Sequence, residues 1–519
     1  ARLDNVHIRQ KHGRKYVRVG LDLQVDCWKP GTLTARCMLE RGSSETADCE
    51  VPISSGSAHC ELRLKDPELW WPRGMGAQPL YDLTVILVDG RGRELDRYTR
   101  RIGLRRLELR RRKDRWGESF CFACNGKPFF AKGANWIPAD AIKGRMIGGR
   151  YRDLLESAAD ANMNMLRVWG GGLYEPDIFY NLCDELGLVV WQDFMFACAS
   201  YPADRKEFMK SVKAEAEYQV RRLRHHACLG LWCGNNELEQ GCAKKNEGRK
   251  WPAMPWKYYE ALFDRLLADT VAEHDPDTPY WPSSPHTPVG DRDVHNDETC
   301  GDTHFWSVWH GRKPFEWYRG TFPRFCSEFG FQSFPEPRTV ATYAHGDDAN
   351  ITSAVMELHQ RSRSGNSLIM DYMLRWFPLP AGSAAALWLS QIQQGLAIKY
   401  AVEHWRRHMN RCRGAIYWQL NDCWPTASWA SIDYLHCWKA LHCMAKRFFA
   451  PLLVSAVEDP DRKRIEVHVS SDMRDKAECC LKWCITDTGG SVLKAGSQKV
   501  SVASDRSIRA LYIDVKKLL

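Results

Sequence analysis

Two glutamates in this sequence end apolar, strand-like segments. Glu237 follows "LWCG" in "LWCGNNELEQ" (residues 231–240), and Glu328 lies in "RFCSEFGFQSFP" (residues 324–335). Glycoside hydrolysis requires two carboxyl groups flanking one bond, one protonated to assist the leaving oxygen and one ionised. A single glutamate after a strand is more often a helix cap or a rim charge, but two in the same setting favour this chemistry.

An arginine could keep one of these carboxyl groups ionised. When two carboxyl groups lie close together, burial and like charge raise the pKa of one, and a nearby cation lowers the pKa of the other. Arg167 ends another apolar segment, within "MNMLRVW". We therefore expect Arg167 to lie beside one of the two glutamates.

The elements that would position these residues form a repeating pattern between residues 109 and 447. Eight short segments, apolar throughout, alternate with amphipathic stretches such as "RYRDLLESAADA" and "DIFYNLCDELG". This pattern predicts a central (β/α)8 barrel, whose active face lies at the carboxyl ends of its strands. The residues at the predicted strand ends are Asn135, Arg167, Asp193, Glu237, His286, His304, Glu328 and Asn421.

Two stretches flanking the predicted barrel have a different pattern. Residues 1–108 contain short alternating strands such as "YVRVGLDLQVDCW" and "PLYDLTVILVDG", separated by turn clusters. Residues 448–519 resume this pattern with "RIEVHVSS" and "RALYIDV". Alternation with turn signals at short intervals predicts a β-sandwich in each stretch.

The bulk composition is typical of a soluble globular protein. The 519 residues are 44% hydrophobic and 26% charged, with a net charge of +9. No apolar run is long enough to span a membrane, and no nucleic-acid-binding module accompanies the arginine-rich stretch at residues 100–115. The 20 cysteines have no zinc-ligand spacing, so we expect free thiols in a reducing, cytoplasmic compartment.

Several longer motifs resemble glycoside hydrolase family two, and its β-mannosidase branch in particular. "GNNE" and "SEFGFQS" are similar to the family's acid/base and nucleophile motifs. "KGANWIPAD", "LRVWGGGLYEPDIFYNLCDELGLVVWQDFMFACASYP", "VWHG" and "YWQLNDCWPTASWASIDY" resemble the β-mannosidase branch. The resemblance covers nearly the whole predicted barrel and the flanking sandwiches, and it implies that these sandwiches are immunoglobulin-like.

The resemblance implies a role for each matching residue. Glu237 would be the acid/base, Asn236 would bond the sugar 2-hydroxyl, and Glu328 would be the nucleophile of a retaining, exo-acting hydrolase. Arg167 would orient and ionise Glu328. The carboxyl separation expected for retention is about 5–5.5 Å.

The resemblance also suggests residues that line the pocket. Trp418 would be a platform under the sugar, and Trp169 with Gly170–Gly172 would form a wall that leaves room for the axial 2-hydroxyl of mannose. Trp251 and Trp256 could form a platform for the leaving group. The further substrate-binding candidates are His304, Trp306, His310 and Asn135. No metal or organic cofactor is expected, and the expected partners are β-mannoside oligosaccharides or glycans derived from glycoconjugates.

The chain departs from the family pattern at its start. Family members begin with a jelly-roll sugar-binding domain, whereas the first residues here already match the second sandwich, so we expect a piece of a longer polypeptide. Two alternatives to a β-mannosidase stay open. One is a hydrolase of another β-glycoside, such as a galactoside, glucuronide or glucosaminide, and the other is a catalytically silent carbohydrate-binding protein.

Overall fold

The structure is a computed structural model, and it describes residues 1–42, 45–242, 254–516 and 518. The strands are β1 Arg2–His12, β2 Tyr16–Asp26, β3 Leu33–Arg41, β4 Glu45–Pro52, β5 Ser57–Lys65, β6 Tyr81–Asp89, β7 Glu94–Ile102, β8 Leu107–Arg110, β9 Lys113–Asp114, β10 Gly117–Glu118, β11 Cys121–Cys124, β12 Lys127–Pro128, β13 Ala131–Trp136, β14 Met165–Val168, β15 Val189–Asp193, β16 Leu229–Cys233, β17 Tyr280–Trp281, β18 Thr303–Phe305, β19 Cys326–Phe329, β20 Gly414–Tyr417, β21 Leu452–Asp459, β22 Arg464–Ser471, β23 Ala477–Thr486, β24 Val492–Val502 and β25 Arg506–Asp514.

Helices connect many of these strands. The α-helices are α1 Gly148–Asp160, α2 Asp177–Leu186, α3 Lys206–Leu223, α4 Leu238–Cys242, α5 Trp256–Tyr259, α6 Leu267–His274, α7 Pro337–Val340, α8 Ala354–Leu358, α9 Gly365–Trp376, α10 Ser383–Arg407 and α11 Ala440–Phe448. Among the described helices, none has both the length and the apolar character needed to cross a lipid bilayer. The 20 cysteines all lie in the described part of the chain as free thiols.

The first strands form two antiparallel sheets, ordered β1-β2-β5 and β4-β3-β6-β7. Inward and outward residues alternate along them because successive side chains of a strand point to opposite faces. In β2, for example, Val17, Val19, Leu21 and Leu23 are buried while the residues between them are not. These side chains join those of β3, β5 and β6 in one hydrophobic core. The predicted immunoglobulin-like sandwich is therefore present.

The central strands form an eight-stranded sheet in the order β17-β16-β15-β14-β13-β20-β19-β18. This order follows the sequence around a (β/α)8 barrel, and the pairings described for it are parallel. Its strands are buried almost throughout, as β15 and β16 illustrate, which explains why they are apolar instead of alternating. The predicted fold class, a (β/α)8 barrel flanked by β-sandwiches, is confirmed.

The chain divides into two compact units. The first consists of Ala1–Leu109, Ala123–Lys127 and Arg167–Ser284. Within it the first sandwich is joined to barrel segments by buried and partly buried hydrogen bonds. Trp70 Nε1 donates to the carbonyl oxygen of Asp184 at 2.8 Å, and Arg105 donates to the carbonyl oxygens of Ala227 and Leu229.

The second unit consists of Arg110–Phe122, Pro128–Leu166 and Pro285–Leu519. It contains the last sandwich, with sheets ordered β21-β22-β25 and β23-β24 around its own apolar core. Lys132 of β13 lies 2.7 Å from Asp472, which follows β22, and both side chains are buried. A second ion pair joins Arg413 to Asp505. A buried and a partly buried ion pair therefore attach this sandwich to barrel segments of the same unit.

Candidate active site

Glu237 stands in a strained turn four residues beyond the end of β16. The strand pairing ends at Cys233, and Asn236 then forms isolated parallel bridges to Ala197 and Ser284. The Glu237 N–H donates to the Ser284 carbonyl oxygen at 2.8 Å. Glu237 itself has a φ of +62°, a backbone conformation that non-glycine residues rarely adopt. Such strain persists only where neighbouring contacts hold it, and it is concentrated at functional sites.

The residues before Glu237 explain the Gly-Asn-Asn sequence. A Cβ atom at Gly234 would lie 2.4 Å from the Pro282 carbonyl oxygen, so only glycine allows this close approach. The Asn235 side-chain oxygen accepts hydrogen bonds from the Leu238 N–H at 3.0 Å and from the Ser283 hydroxyl at 2.7 Å. Asn235 thus fixes the start of α4, which is a structural role. Asn236 and Glu237 remain the candidates for a functional role in this turn.

Asn236 is held by the buried arginine that the sequence singled out. Arg167 Nη2 donates to Asn236 Oδ1 at 2.7 Å and to Asp193 Oδ2 at 2.8 Å, and its Nε donates to Asp193 Oδ1 at 3.2 Å. Neither side chain of the Arg167–Asp193 pair is exposed to solvent. The predicted role of Arg167 towards Glu328 stays a prediction.

Asp193 serves as the acceptor that keeps this arginine in place. Its carboxylate also accepts from the Gly170 N–H at 3.0 Å and from Trp191 Nε1 at 3.0 Å. Burial raises the pKa of Asp193, and the Arg167 guanidinium opposes that rise. The carboxylate is therefore satisfied by directed donors, as a buried charge must be. Asp193 was predicted at a strand end, but its bond to Arg167 was not.

The Trp169 indole and Gly171 are in close contact. A Cβ atom at Gly171 would lie 2.0 Å from Trp169 Cη2, so the ring lies directly against the glycine backbone. Trp169 is half-buried. The wall predicted for Trp169 with Gly170–Gly172, and its role towards a sugar, stay predictions.

In the second unit, Glu328 lies inside strand β19, with only 4% of its side chain exposed. His304 of β18 is its partner in the parallel pairing, and His304 Nδ1 lies 3.3 Å from Glu328 Oε2. The His304 backbone N–H is held by the Asn296 side chain at 2.6 Å. His304, a predicted pocket residue, therefore contacts the candidate nucleophile directly.

Asn135 supports the same strand from β13. Its side-chain nitrogen donates to the carbonyl oxygens of Ser327 at 2.9 Å and Tyr417 at 3.2 Å. These bonds join β13 to β19 and β20 immediately beside Glu328. The contacts described for Asn135 are those of a buried structural residue, and a role in binding sugar stays a prediction.

The remaining aromatic candidates lie on loops of the second unit. Trp418 follows β20, is half-buried, and donates its backbone N–H to the Phe329 carbonyl oxygen at 2.8 Å. The peptide bond after Trp418 is cis. The Trp306 ring lies 5.2 Å from that of His310 and 6.2 Å from that of Trp429, measured between centroids. Trp429 was not singled out from the sequence, where nothing sets it apart from the other tryptophans.

One other residue near Glu237 was missed by sequence reasoning. Cys198 Sγ lies 3.8 Å from Glu237 Oε2 and 3.4 Å from Asn236 Nδ2. The sequence offers no signal for this contact, because Cys198 is one of many scattered cysteines. Of the two tryptophans suggested as a leaving-group platform, Trp251 lies outside the described residues, and Trp256 begins α5 and packs against Tyr259.

A buried group in the first unit has the residue types of a metal site. Ligand atoms of Asp184, His226 and Cys228 lie within 4.8 Å of one another. However, the two Asp184 oxygens already bond His226 Nδ1 and the Cys228 N–H, each at 2.7 Å. The group therefore fits a structural hydrogen-bond network that ties α2 to the start of β16.

Comparison with known proteins gives a consistent set of similarities. The family model described as glycosyl hydrolases family 2 matches residues 1–105. A curated relative, β-mannosidase B of Aspergillus fumigatus, is 35% identical over 483 residues, which cover 88% of this chain and 56% of the relative. The chain thus spans little more than half the length of the curated relatives it matches.

Solved structures show the same similarity in three dimensions. The β-D-mannosidase from Dictyoglomus thermophilum has a TM-score of 0.90 and 35% identity, covering 99% of this chain and 62% of that one. The exo-chitosanase CsxA of Amycolatopsis orientalis has a TM-score of 0.77 at 18% identity, covering 98% of this chain and 60% of that one. The second similarity concerns the fold alone.

Proposed function

Because this chain belongs to glycosyl hydrolase family 2, in its β-mannosidase branch, we propose that it releases terminal non-reducing β-D-mannose from glycans. The observation that carries this proposal is the setting of Glu237 and Glu328. Both are buried, and each lies in or just after a strand of one parallel sheet. The carboxyl ends of such strands share one edge, and active sites of (β/α)8 barrels form there.

We assign the two glutamates the two roles that retention requires. Glu328 attacks the anomeric carbon and forms a glycosyl ester, while the protonated Glu237 donates its proton to the leaving oxygen. Glu237 then takes a proton from water, which attacks the ester and releases mannose with its configuration retained. The two carboxyl groups suffice for this cycle, so it calls for no metal or organic cofactor.

The contacts around each glutamate support this assignment. His304 lies beside Glu328, and an imidazole N–H there would stabilise an ionised nucleophile. Arg167 fixes Asn236, so the amide next to Glu237 has a defined direction for bonding a sugar 2-hydroxyl. We also propose that Arg167 helps to ionise Glu328. The mechanism needs one ionised and one protonated carboxyl group. In this proposal the ionised group is the nucleophile, and the protonated group is the acid in the strained turn.

We propose that the remaining candidates bind the sugar. Trp418 would provide a flat apolar face under the pyranose ring, and Trp169 would form the wall beside the 2-hydroxyl. Both residues are half-buried, so part of each is accessible to solvent. The other proposed substrate-binding residues are Asn135, His304, Trp306 and His310.

The test is hydrolysis of p-nitrophenyl β-mannoside by this protein and by its Glu328→Gln variant. We expect turnover by the unaltered protein, retained configuration in the first-formed product by proton NMR, and loss of turnover with measurable ligand binding in the variant. A panel of p-nitrophenyl β-galactoside, β-glucuronide and β-glucosaminide tests specificity. Preference for one of these would replace mannose by that sugar, and binding without turnover on any of them would support a silent carbohydrate-binding protein.

A further inference from the structure

We propose that Cys198 is a positioning residue for the acid/base group, an inference that rests on the proposed function of Glu237. Its sulfur lies 3.8 Å from Glu237 Oε2 and 3.4 Å from Asn236 Nδ2. A thiol can accept one hydrogen bond and donate another. Cys198 therefore accepts from the Asn236 amide and donates to the Glu237 carboxyl group, joining the two residues that the mechanism uses together.

The backbone ties the same residues to each other. The Cys198 N–H donates to the Asn236 carbonyl oxygen at 3.1 Å, and the Asn236 N–H donates to the Phe196 carbonyl oxygen at 2.9 Å. Cys198 has a φ of +49° and Glu237 a φ of +62°, so two non-glycine residues in the left-handed region face each other. Neither conformation is favoured by itself, and each is held by the segment opposite.

The segment that carries Cys198 is itself anchored. The Tyr201 hydroxyl accepts from the Ala197 N–H at 3.0 Å and lies 3.4 Å from the Ala197 carbonyl oxygen. The Tyr201 ring also packs edge-to-face on Phe196, with 4.8 Å between centroids. The residue before Cys198 therefore cannot move freely, and the sulfur has a fixed place from which to direct its neighbours.

Both ends of the Asn236 side-chain amide have a hydrogen-bond partner. Its Oδ1 accepts from Arg167 and its Nδ2 donates to Cys198, so the amide plane is set from both sides. A thiol is a weak donor, so it orients the Glu237 carboxyl group without strongly favouring its ionised form. This suits a group that must hold a proton before the glycosidic bond breaks.

The first experiment compares Cys198→Ala and Cys198→Ser with a matched control, Cys479→Ala. Cys479 is a half-buried thiol of the last sandwich whose sulfur lies 3.6 Å from the Val500 carbonyl oxygen. If the Glu237 carboxyl group is misplaced, hydrolysis should slow most for substrates whose leaving group needs protonation. We expect Cys198→Ala to lower kcat/KM about tenfold or more for a methyl β-mannoside and only slightly for 2,4-dinitrophenyl β-mannoside.

Cys198→Ser should recover part of this loss, because serine keeps a donor and an acceptor, and Cys479→Ala should match the unaltered protein. An equal loss for both substrates would show a merely structural role, and no loss would show no role; either result overturns the proposal. If the unaltered protein cleaves no glycoside at all, the proposed function fails, and a second measurement still decides whether Cys198 positions its neighbours.

That measurement is a crystal structure of the Cys198→Ala variant beside that of the unaltered protein. We expect the Glu237 carboxyl group and the Asn236 amide nitrogen to change direction while the Arg167–Asp193 pair stays in place. Unchanged Glu237 and Asn236 side chains would overturn the proposal, whether or not either protein is active.

Discussion

The Arg167 guanidinium donates to the Asn236 side-chain oxygen at 2.7 Å and so connects strand β14 to the turn that carries Glu237. The same guanidinium is paired with Asp193, and neither member of the pair is exposed to solvent. The direction of the Asn236 amide therefore depends on a buried charge pair. Arg167, Asp193 and Asn236 lie on three segments that are far apart in sequence.

Removing one charge of the Arg167–Asp193 pair should destabilise the folded protein. Asp193→Asn would leave the Arg167 guanidinium buried without its counter-charge, which typically costs about 3–5 kcal/mol of unfolding free energy. We expect a large fall in the thermal unfolding midpoint of this variant. The control is Asp277→Asn, which breaks a half-exposed pair with Arg9 and should change stability by about 1 kcal/mol or less. Similar effects of the two substitutions would contradict a special role for the buried pair.

The acid/base assignment predicts chemical rescue. Glu237→Ala removes the proton donor and the later general base, so turnover of p-nitrophenyl β-mannoside should fall by about 10²–10⁴-fold. Azide can attack the glycosyl ester without general-base help, so we expect added azide to restore rate and to give β-mannosyl azide. Glu239→Ala, a change at a neighbouring buried glutamate, is the control and should show no azide product. Absence of both rescue and azide product in Glu237→Ala would refute the assignment.

The Trp169 wall predicts an effect on specificity. In Gly171→Ala the new methyl group would overlap the Trp169 ring, which would have to move. We expect KM for aryl β-mannosides to rise more than KM for an analogue with an equatorial 2-hydroxyl. Gly149→Ala is the matched control, because a Cβ atom there meets no other atom within 4 Å. Equal losses on both sugars would mean that the wall does not recognise the axial hydroxyl.

A buried histidine should make stability depend on pH. His442 donates from Nε2 to the Ser157 carbonyl oxygen and lies 3.0 Å from the Ser431 hydroxyl, which fits a neutral ring. Burial lowers the pKa of His442 from 6.5 to about 4. Between these values the unfolded chain binds a proton that the folded chain excludes, so stability falls as the pH decreases from 6.5 to 4.

His442 alone changes the free energy of unfolding across this pH range by at most about 3 kcal/mol. Urea unfolding across that pH range should show a shallower dependence in His442→Gln than in the unaltered protein. His59→Gln, which changes an exposed imidazole, is the matched control. An unchanged dependence in His442→Gln would mean that other groups account for acid sensitivity.

The barrel strands could be predicted because burial leaves a local signature. A strand such as β16 is covered on both faces, so every residue in it is apolar and the run is visible without any partner. The sandwich strand β2 is covered on one face, so its residues alternate. The ends of the strands were less clear from the sequence. "LWCGNNE" suggests a strand that continues to Glu237, whereas the strand pairing stops at Cys233 and is followed only by isolated bridges.

The candidate site was predictable to a smaller degree. Glu237, Glu328 and Arg167 could be singled out as polar groups following apolar runs, and the resemblance to a family supplied their roles. The hydrogen-bond partners of these groups could not be predicted from the sequence. Asn236 and Cys198 are 38 positions apart, and Arg167 and Asn236 are 69 apart. No local pattern links residues at such separations.

By itself, the sequence determined which segments are buried, how the strands and helices alternate, and which side chains capable of acid–base chemistry lie in or soon after the strands. These properties depend on residue type and short-range periodicity. Only the tertiary structure decided that Arg167 bonds Asp193 and Asn236, that His304 lies against Glu328, and that Cys198 contacts Glu237. Such a contact forms only between groups that folding brings together, and their separation is set by the packing of whole elements.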